Sequence, residues 1–361
     1  MTKFLEVEIR ISTPWVYKPV LDLIFLVLPG ALSVMVIAWT KYFNLVDFEK
    51  FSYFWLVPIL LLDASHFWST IFRTYLSLEG AKNFKQVMIW SPIVCYFACA
   101  ICYFVDPILF WRLFGYFALY HLMRQQDGLL RVFTRKEEMG AGKRFDIFCI
   151  QAFVLLPILY WHFTPRSFFW FDESLLMIYH SPLLSQIVLN LLFGLLGFYL
   201  LKVLFELVKK RKVNLGSIGL VLSTFVTWYF GVIYYNSDTI FSITNIVAHG
   251  VPYLYIVFVS TYSSQFKSSF KFVEYFYSSS FLVAIIFFCL VLLGLSYFEE
   301  FLWDILLWKN TRNLFVEVKP IILTEAWLVV LVPLLALPKM THYLIDGFIW
   351  KGRIKPKGFR F

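Results

Sequence analysis

Ten apolar runs, each close to the length that crosses a bilayer, constrain this chain more than any other feature of its sequence. A spanning helix needs about 20 mainly apolar residues. The runs cover residues 20–40, 53–74, 87–104, 106–130, 147–164, 181–208, 216–235, 238–262, 280–298 and 323–349. Only 15% of the 361 residues are charged, whereas a soluble domain is about a quarter charged. We therefore predict an all-α protein, a single integral membrane domain over residues 1–361 with about ten transmembrane helices.

Basic residues are distributed unevenly among the segments that join these runs. If the ten runs alternate in direction, one side of the membrane carries 22 Lys and Arg residues and the other carries 6. Cytoplasmic segments are the ones enriched in Lys and Arg, so we predict that both termini are cytoplasmic. The net charge of +9 then reflects topology and contact with anionic lipid, and no nucleic-acid partner is expected.

Four of the six histidines lie inside apolar runs, and each has a polar companion three or four residues away. The pairs are Asp63 with His66, His121 with Gln125, Asn245 with His249, and His342 with Asp346. This spacing puts both members of a pair on one face of a helix. All four runs cross in the same direction, and the histidines fall about 17–28 Å from the outer ends. We expect the four imidazoles to converge in the cytoplasmic half of the membrane.

Polar groups at that depth need compensation, because an aspartate at mid-membrane costs roughly 2.5–3.5 kcal/mol. Imidazole and carboxylate donors suit iron, manganese or zinc, and two histidines with one carboxylate form the ligand set of non-haem iron oxygenases. We predict a centre of one or two ions, with iron favoured over zinc or manganese. Its predicted ligands are His66, His121, His249, His342, Asp63 and Asp346. Gln125, Asn245 and Lys339 are predicted to support those ligands from behind.

Three functions are consistent with these groups. The leading prediction is a membrane-embedded oxygenase for a lipophilic substrate, which would take any electrons it consumes from a separate donor protein. A proton- or ion-coupled transporter would use the same pairs as a relay. An intramembrane zinc hydrolase would activate water, with Ser65 or Thr70 as a weak candidate to assist. A second site at the outer side remains open, formed by His162, Asp238, Glu299, Glu300 and Asp304.

Five strings resemble those of a family of uncharacterised bacterial multi-pass membrane proteins. They are DASHFWSTIFRTY (63–75), HLMRQQDG (121–128), YNSDTIFSITNIVAHGVPY (235–253), EEFLWDILLW (299–308) and THYLIDGFIWK (341–351). This resemblance implies a bacterial inner-membrane protein and no particular activity. The chain is also similar to Brp/Blh-like carotenoid dioxygenases, polytopic helical proteins whose non-haem iron is held by four intramembrane histidines. That similarity implies iron oxygenase chemistry as a class.

Overall fold

The computed structural model describes residues 10–11, 14–45, 59–165, 176–209, 212–262, 266–308 and 321–350. Within these ranges nearly all regular structure is helical. One short exception pairs β1 (Arg10–Ile11) in parallel with β2 (Lys212–Val213). An apolar chain favours helix because a helix satisfies each backbone N–H and C=O within its own segment, as lipid requires.

The helices of the described residues run, in chain order, as follows: α1 (Pro19–Val27), α2 (Pro29–Tyr42), α3 (Ser65–Arg73), α4 (Leu78–Asn83), α5 (Lys85–Val105), α6 (Pro107–Phe133), α7 (Ala141–Phe163), α8 (Pro182–Lys209), α9 (Leu215–Tyr234), α10 (Asp238–Thr261), α11 (Lys271–Tyr277), α12 (Phe281–Trp303) and α13 (Glu325–Ile349). A wide π-helical turn at Ile59–Ala64 precedes α3, and another at Asp304–Trp308 follows α12. Such turns are rare and often occur at functional sites.

Seven of the described helices are long and apolar enough to cross a membrane: α5, α7, α8, α9, α10, α12 and α13. The α1–α2 pair, bent by 62°, makes an eighth if it counts as one span. The prediction of an all-helical, membrane-type chain is confirmed at this level. The fourth predicted run is α6, whose hydropathy is lowered by Arg112, His121 and Arg124. The second begins at 53, and its part before Ile59 lies outside the described residues.

Contacts between helices divide the chain into two units. Unit 1 contains α1, α2, α7, α8, α9, the part of α6 from Leu119 and the part of α10 up to Pro252. In this unit α7 packs against α8 and α9, and its Trp161 ring lies 4.4 Å from the Phe241 ring of α10. Helix α2 packs closely on α9 at Gly30, where a Cβ atom would lie 3.1 Å from the Thr227 Cβ. Lys202 joins α8 to Asp146 of α7 through an ion pair of 2.6 Å.

Unit 2 contains α3, α4, α5, α11, α12, α13, the first part of α6 and the part of α10 from Tyr253. Helix α13 packs along α5, and an aromatic core forms around Phe72 of α3. The Phe72 ring stacks on Tyr277 at 4.9 Å and contacts Phe288 at 4.8 Å. These contacts hold α3 against α11 and α12, which fixes the position of the histidine on α3.

Large apolar side chains cover the outer surfaces of several helices. On α5 the exposed residues include Phe97, Ile101 and Phe104, and on α8 they include Phe198 and Leu201. Water disfavours extended apolar patches on soluble proteins, whereas the acyl chains of a bilayer accommodate them. The apolar helices and their surfaces are therefore compatible with an integral membrane protein.

Gly80 lies at a close approach between α4 and the end of α3. A Cβ atom there would clash with the Arg73 carbonyl and would lie 2.9 Å from the Thr74 oxygen. We expect Gly80→Ala to lower the melting temperature, because backbone atoms cannot move aside as flexible side chains can.

Gly128→Ala on α6 is the matched control for this substitution, because a Cβ at Gly128 meets nothing within 4 Å. Alanine is a better helix former than glycine by about 1 kcal/mol. The control should therefore keep or raise the melting temperature, measured in the same detergent. Equal melting temperatures for both variants would contradict the packing at Gly80.

Candidate metal centre

Each of the four histidines with a polar companion lies on a different helix and is buried. His66 is on α3, His121 on α6, His249 on α10 and His342 on α13. Their exposed fractions range from 1% to 6%. Burial of this degree removes each imidazole from water, so its nitrogens need partners inside the protein.

His66 and His342 form a pair within unit 2. Their ring centroids are 4.9 Å apart, and the ring planes are nearly perpendicular at 82°. The Tyr253 ring packs against both imidazoles, 5.7 Å from His66 and 5.0 Å from His342. The surrounding aromatic packing restricts how far either imidazole can turn.

His121 and His249 form the corresponding pair within unit 1. Their centroids are 5.0 Å apart, and the planes meet at 79°. The Gln125 side chain donates from Nε2 to the His249 carbonyl at 2.8 Å, which ties α6 to α10 beside the pair. The two histidine pairs therefore have nearly the same geometry.

The four histidines belong to one group of ligand atoms. One ring nitrogen from each imidazole lies within 4.8 Å of a ring nitrogen of each of the others. The convergence expected from helical spacing is thus present in the structure. Among the described residues this is the one group of histidine, cysteine and acidic side chains that could hold a metal ion. Cys95 and Cys99, although buried on α5, are not part of it.

Asp63, predicted as a metal ligand, lies next to the group and is paired with lysine. Its Oδ2 lies 3.1 Å from the Lys339 Nζ, and its Oδ1 lies 3.8 Å from the His66 Nδ1. Lys339, predicted to support the ligands from behind, thus forms an ion pair with Asp63. Its ammonium also lies 5.2 Å from the centre of the Phe67 ring. At 3.8 Å the Asp63 oxygen is too far from His66 for a hydrogen bond, and Asp63 is not a member of the histidine group.

Asp346, the other predicted carboxylate ligand, is held by two hydrogen bonds to one oxygen. Tyr253 donates its hydroxyl to Oδ1 at 2.6 Å, and Trp350 donates its indole N–H to the same atom at 3.3 Å. The His342 Nδ1 lies 3.7 Å from that oxygen, too far for a hydrogen bond. Asp346 is therefore connected to His342 through other side chains.

The predicted supporting residues Gln125 and Asn245 both bond to backbone carbonyls. Asn245 donates to the Phe241 carbonyl one turn earlier on α10, at 3.0 Å. Gln125 of α6 donates to the His249 carbonyl of α10, so it links the two helices that carry His121 and His249. Both residues stabilise the helices that carry the histidines.

Sequence reasoning missed Tyr253 and assigned Thr70 only to the hydrolase alternative. Thr70 Oγ1 lies 2.8 Å from the His342 Nδ1 and 2.9 Å from the Tyr253 hydroxyl. A signal was present in the spacing. Each of these four histidines is followed four residues later by a hydrogen-bonding side chain: Thr70, Gln125, Tyr253 and Asp346.

The outer residues singled out from the sequence do not form a metal-ligating group within the described chain. His162 donates from Nδ1 to the Ile158 carbonyl at 2.7 Å, one turn earlier on α7. Glu299 accepts hydrogen bonds from the indoles of Trp68 and Trp303, at 2.6 and 3.3 Å. Glu299 thereby links α12 to α3, a structural role.

The fold and this group define a helical protein of membrane type with a buried four-histidine cluster that could bind metal. No protein-family model, no curated protein and no solved structure matches the chain. The two resemblances drawn from short strings therefore stay predictions. The chemistry of the site has to be inferred from its own residues.

Proposed function

We propose that the protein is a membrane-embedded non-haem metal oxygenase that acts on a lipophilic substrate. The observation that supports it most strongly is the four-histidine group, built from four helices of a very apolar chain. A bound cation would take one nitrogen lone pair from each of the four imidazoles. Neutral imidazole is also the most common protein ligand for metals.

The spacing of the donor atoms suits a single ion. Ligand bonds of about 2.1 Å place the donors around one ion roughly 3–4 Å apart. Nitrogens within 4.8 Å of one another need only a small contraction to reach that arrangement. Imidazole suits iron, zinc, copper and nickel, and the absence of thiolate from the group argues against a site for soft metals.

We favour iron, held by His66, His121, His249 and His342, with Asp63 and Asp346 as orienting carboxylates. In a two-ion version both carboxylates would be ligands, and they would have to leave their partners Lys339 and Tyr253. Iron supplies the ability to bind and activate dioxygen. The protein supplies the fixed donor geometry and an apolar surrounding that excludes water.

A lipophilic substrate follows from the location of the centre among apolar helices. An apolar groove with a volume of about 270 Å³ opens between α5 and α13, and Trp90, Val94 and Phe348 line it. Leu344 of this groove lies two residues after His342 and so on a different face of α13. The groove offers a hydrocarbon or isoprenoid chain a binding surface on the helix that carries His342.

The reaction type determines whether an electron donor is needed. Oxidative cleavage of a carbon–carbon double bond puts one oxygen atom of O₂ on each carbon and consumes no external electrons. Hydroxylation inserts one oxygen atom and reduces the other to water, which takes two electrons and two protons. The second reaction would require a separate electron donor protein.

We further propose the finer topology predicted from the sequence. Ten spans, both termini in the cytoplasm, and a bacterial inner-membrane location would account for the 22 to 6 division of basic residues. Each predicted span coincides at least in part with a described helix. Reporter fusions at loops on the two predicted sides would test the orientation.

An ion- or proton-coupled transporter is the second candidate. The 62° bend between α1 and α2 favours it, because transporters often use interrupted helices at their binding sites. The partly buried Asp63–Lys339 pair would also suit a charge relay. An intramembrane zinc hydrolase would use the same four imidazoles but requires an ion-bound water.

Metal analysis of the purified protein tests the proposal. The chain should be purified in mild detergent without chelators, and metals should be quantified by mass spectrometry. We expect about one iron per chain, because one ion satisfies all four imidazoles. Stoichiometric zinc would instead favour the hydrolase. The absence of any transition metal, both as purified and after addition of iron or zinc, would leave the transporter.

A further inference from the structure

A chain of hydrogen bonds connects His342 to Asp346 through two other helices. The His342 Nδ1 lies 2.8 Å from Thr70 Oγ1, which lies 2.9 Å from the Tyr253 hydroxyl. That hydroxyl donates to Asp346 Oδ1 at 2.6 Å. Thr70 is on α3, Tyr253 on α10 and Asp346 on α13, all in unit 2. Thr70 and Tyr253 are only 4% and 2% exposed.

The direction of each bond follows from the groups at its two ends. Asp346 Oδ1 accepts one hydrogen bond from the Tyr253 hydroxyl and another from the Trp350 indole N–H. A hydroxyl has one proton to donate. Because Tyr253 uses its proton on Asp346, Thr70 must donate to Tyr253.

The same count of protons sets the direction of the hydrogen bond between Thr70 and the imidazole of His342. Thr70 has used its proton on Tyr253, so its oxygen accepts from the N–H at the His342 Nδ1. A neutral imidazole carries one N–H, and its other nitrogen then has a free lone pair. The chain therefore selects the tautomer in which Nε2 of His342 is available as a ligand atom.

We propose that Thr70 and Tyr253 are positioning residues that, with Asp346, present the His342 Nε2 to the metal and raise the metal affinity of the site. This inference rests on the proposed metal centre. Metal-binding histidines usually donate their second N–H to a carboxylate or another acceptor, which fixes the ring and strengthens it as a ligand. Here two hydroxyls extend that arrangement over three hydrogen bonds.

The carboxylate end of the chain is itself held firmly. The Trp350 ring, whose N–H bonds to Asp346, has the Arg73 guanidinium 4.0 Å from its centre. Arg73 also donates to Ser260 Oγ at 2.9 Å and to the Ile349 carbonyl at 3.3 Å. These bonds join α3, α10 and α13 beyond Asp346, so the acceptor that sets the direction of the chain is fixed.

Metal affinity of Thr70→Val and Tyr253→Phe, measured by chelator competition with iron(II), tests the proposal. Loss of a partner behind a metal ligand weakens binding by about 10–100-fold, and we expect that range for both variants. Thr70→Ser keeps the hydroxyl and should bind within about threefold of the wild type on the same basis. Wild-type affinity in both Thr70→Val and Tyr253→Phe would overturn the proposal.

Tyr277→Phe is the matched control for the tyrosine substitution. Tyr277 is also fully buried in unit 2, and its hydroxyl lies 2.5 Å from Thr261 Oγ1, outside the chain. It should bind iron as the wild type does. If Tyr277→Phe weakens binding as much as Tyr253→Phe, the effect is general destabilisation and the proposal fails.

A second measurement does not depend on metal binding. Nitrogen-15 NMR of histidine-labelled, metal-free protein reports which ring nitrogen carries the proton, and a His342→Gln sample identifies the signals. We expect the proton of His342 on Nδ1 in the wild type and a changed tautomer population in Thr70→Val. A proton on Nε2 in the wild type overturns the chain. If the wild type binds no metal, the proposed function fails while this measurement still decides the hydrogen-bond direction.

Discussion

Replacing any one of the four clustered histidines by alanine is expected to remove most of the bound metal. The variants are His66→Ala, His121→Ala, His249→Ala and His342→Ala, and each deletes one donor from the four-histidine group. Because all four nitrogens belong to one group, loss of any donor should affect the same ion. We expect each variant to retain less than about a tenth of the wild-type metal content, since binding depends on a complete ligand set.

His162→Ala and His180→Ala are the controls for this series. Neither residue belongs to the four-histidine group. Both variants should keep the wild-type metal content, measured after the same purification. Equal metal loss in all six variants would point to unfolding rather than to coordination.

Metal loss in only some of the histidine variants would show which histidines bind the ion. If only His66→Ala and His342→Ala lost metal, the ion would be held within one pair, and the proposal of four ligands would be wrong. Melting temperatures recorded for every variant separate coordination from stability. A variant that keeps its melting temperature in metal-free buffer but loses metal has lost a ligand.

Lys339→Met is expected to destabilise the fold strongly. The substitution leaves the Asp63 carboxylate, whose side chain is 26% exposed, without its cation, whose Nζ lies 3.1 Å away in the native protein. Breaking one side of a fully buried ion pair costs about 3–5 kcal/mol, which is the upper bound for this partly buried pair. The free energy of unfolding in mixed detergent micelles should fall by up to this amount.

The double variant Asp63→Asn with Lys339→Met should recover much of that loss. Removing both charges eliminates the desolvation penalty that the single substitution exposes. A double variant as unstable as the sum of the two single variants would show that the ion pair does not couple the two residues.

Lys267→Met is the matched control for the lysine substitution. Lys267 forms an ion pair of 2.8 Å with Glu274, but its side chain is 68% exposed. Exposed ion pairs contribute about 0–1 kcal/mol, so this change should have little effect. A loss as large as that of Lys339→Met would contradict the difference in environment between the two pairs.

Much of the helical architecture could be predicted from the sequence because membrane helices follow from local composition. The ten apolar runs coincide at least in part with described helices, and 20–40 corresponds to the bent α1–α2 pair. The bend itself has no clear signal in hydropathy, although Pro29 begins the second helix. The sequence predicts α6 despite its charges, because the apolar run lies between a turn at Asp106 and a basic segment after Phe133.

The candidate site was predicted in part. The helical spacing and similar depths indicated that the four histidines would meet, and their ring nitrogens do lie within 4.8 Å of one another. The spacing could not indicate which partner each polar residue would choose. Lys339 pairs with Asp63, in the π-helical turn before α3, and not with Asp346 of its own helix, because that choice depends on how neighbouring helices are rotated.

By itself, the sequence determined that this chain forms apolar helices and which face of each helix carries a histidine. Both properties arise from residues within four positions of one another. Only the tertiary structure decided that His66 pairs with His342, that His121 pairs with His249, and that Thr70 and Tyr253 connect His342 to Asp346. These contacts join side chains from different helices, so they depend on the packing and rotation of whole helices, which local spacing does not specify.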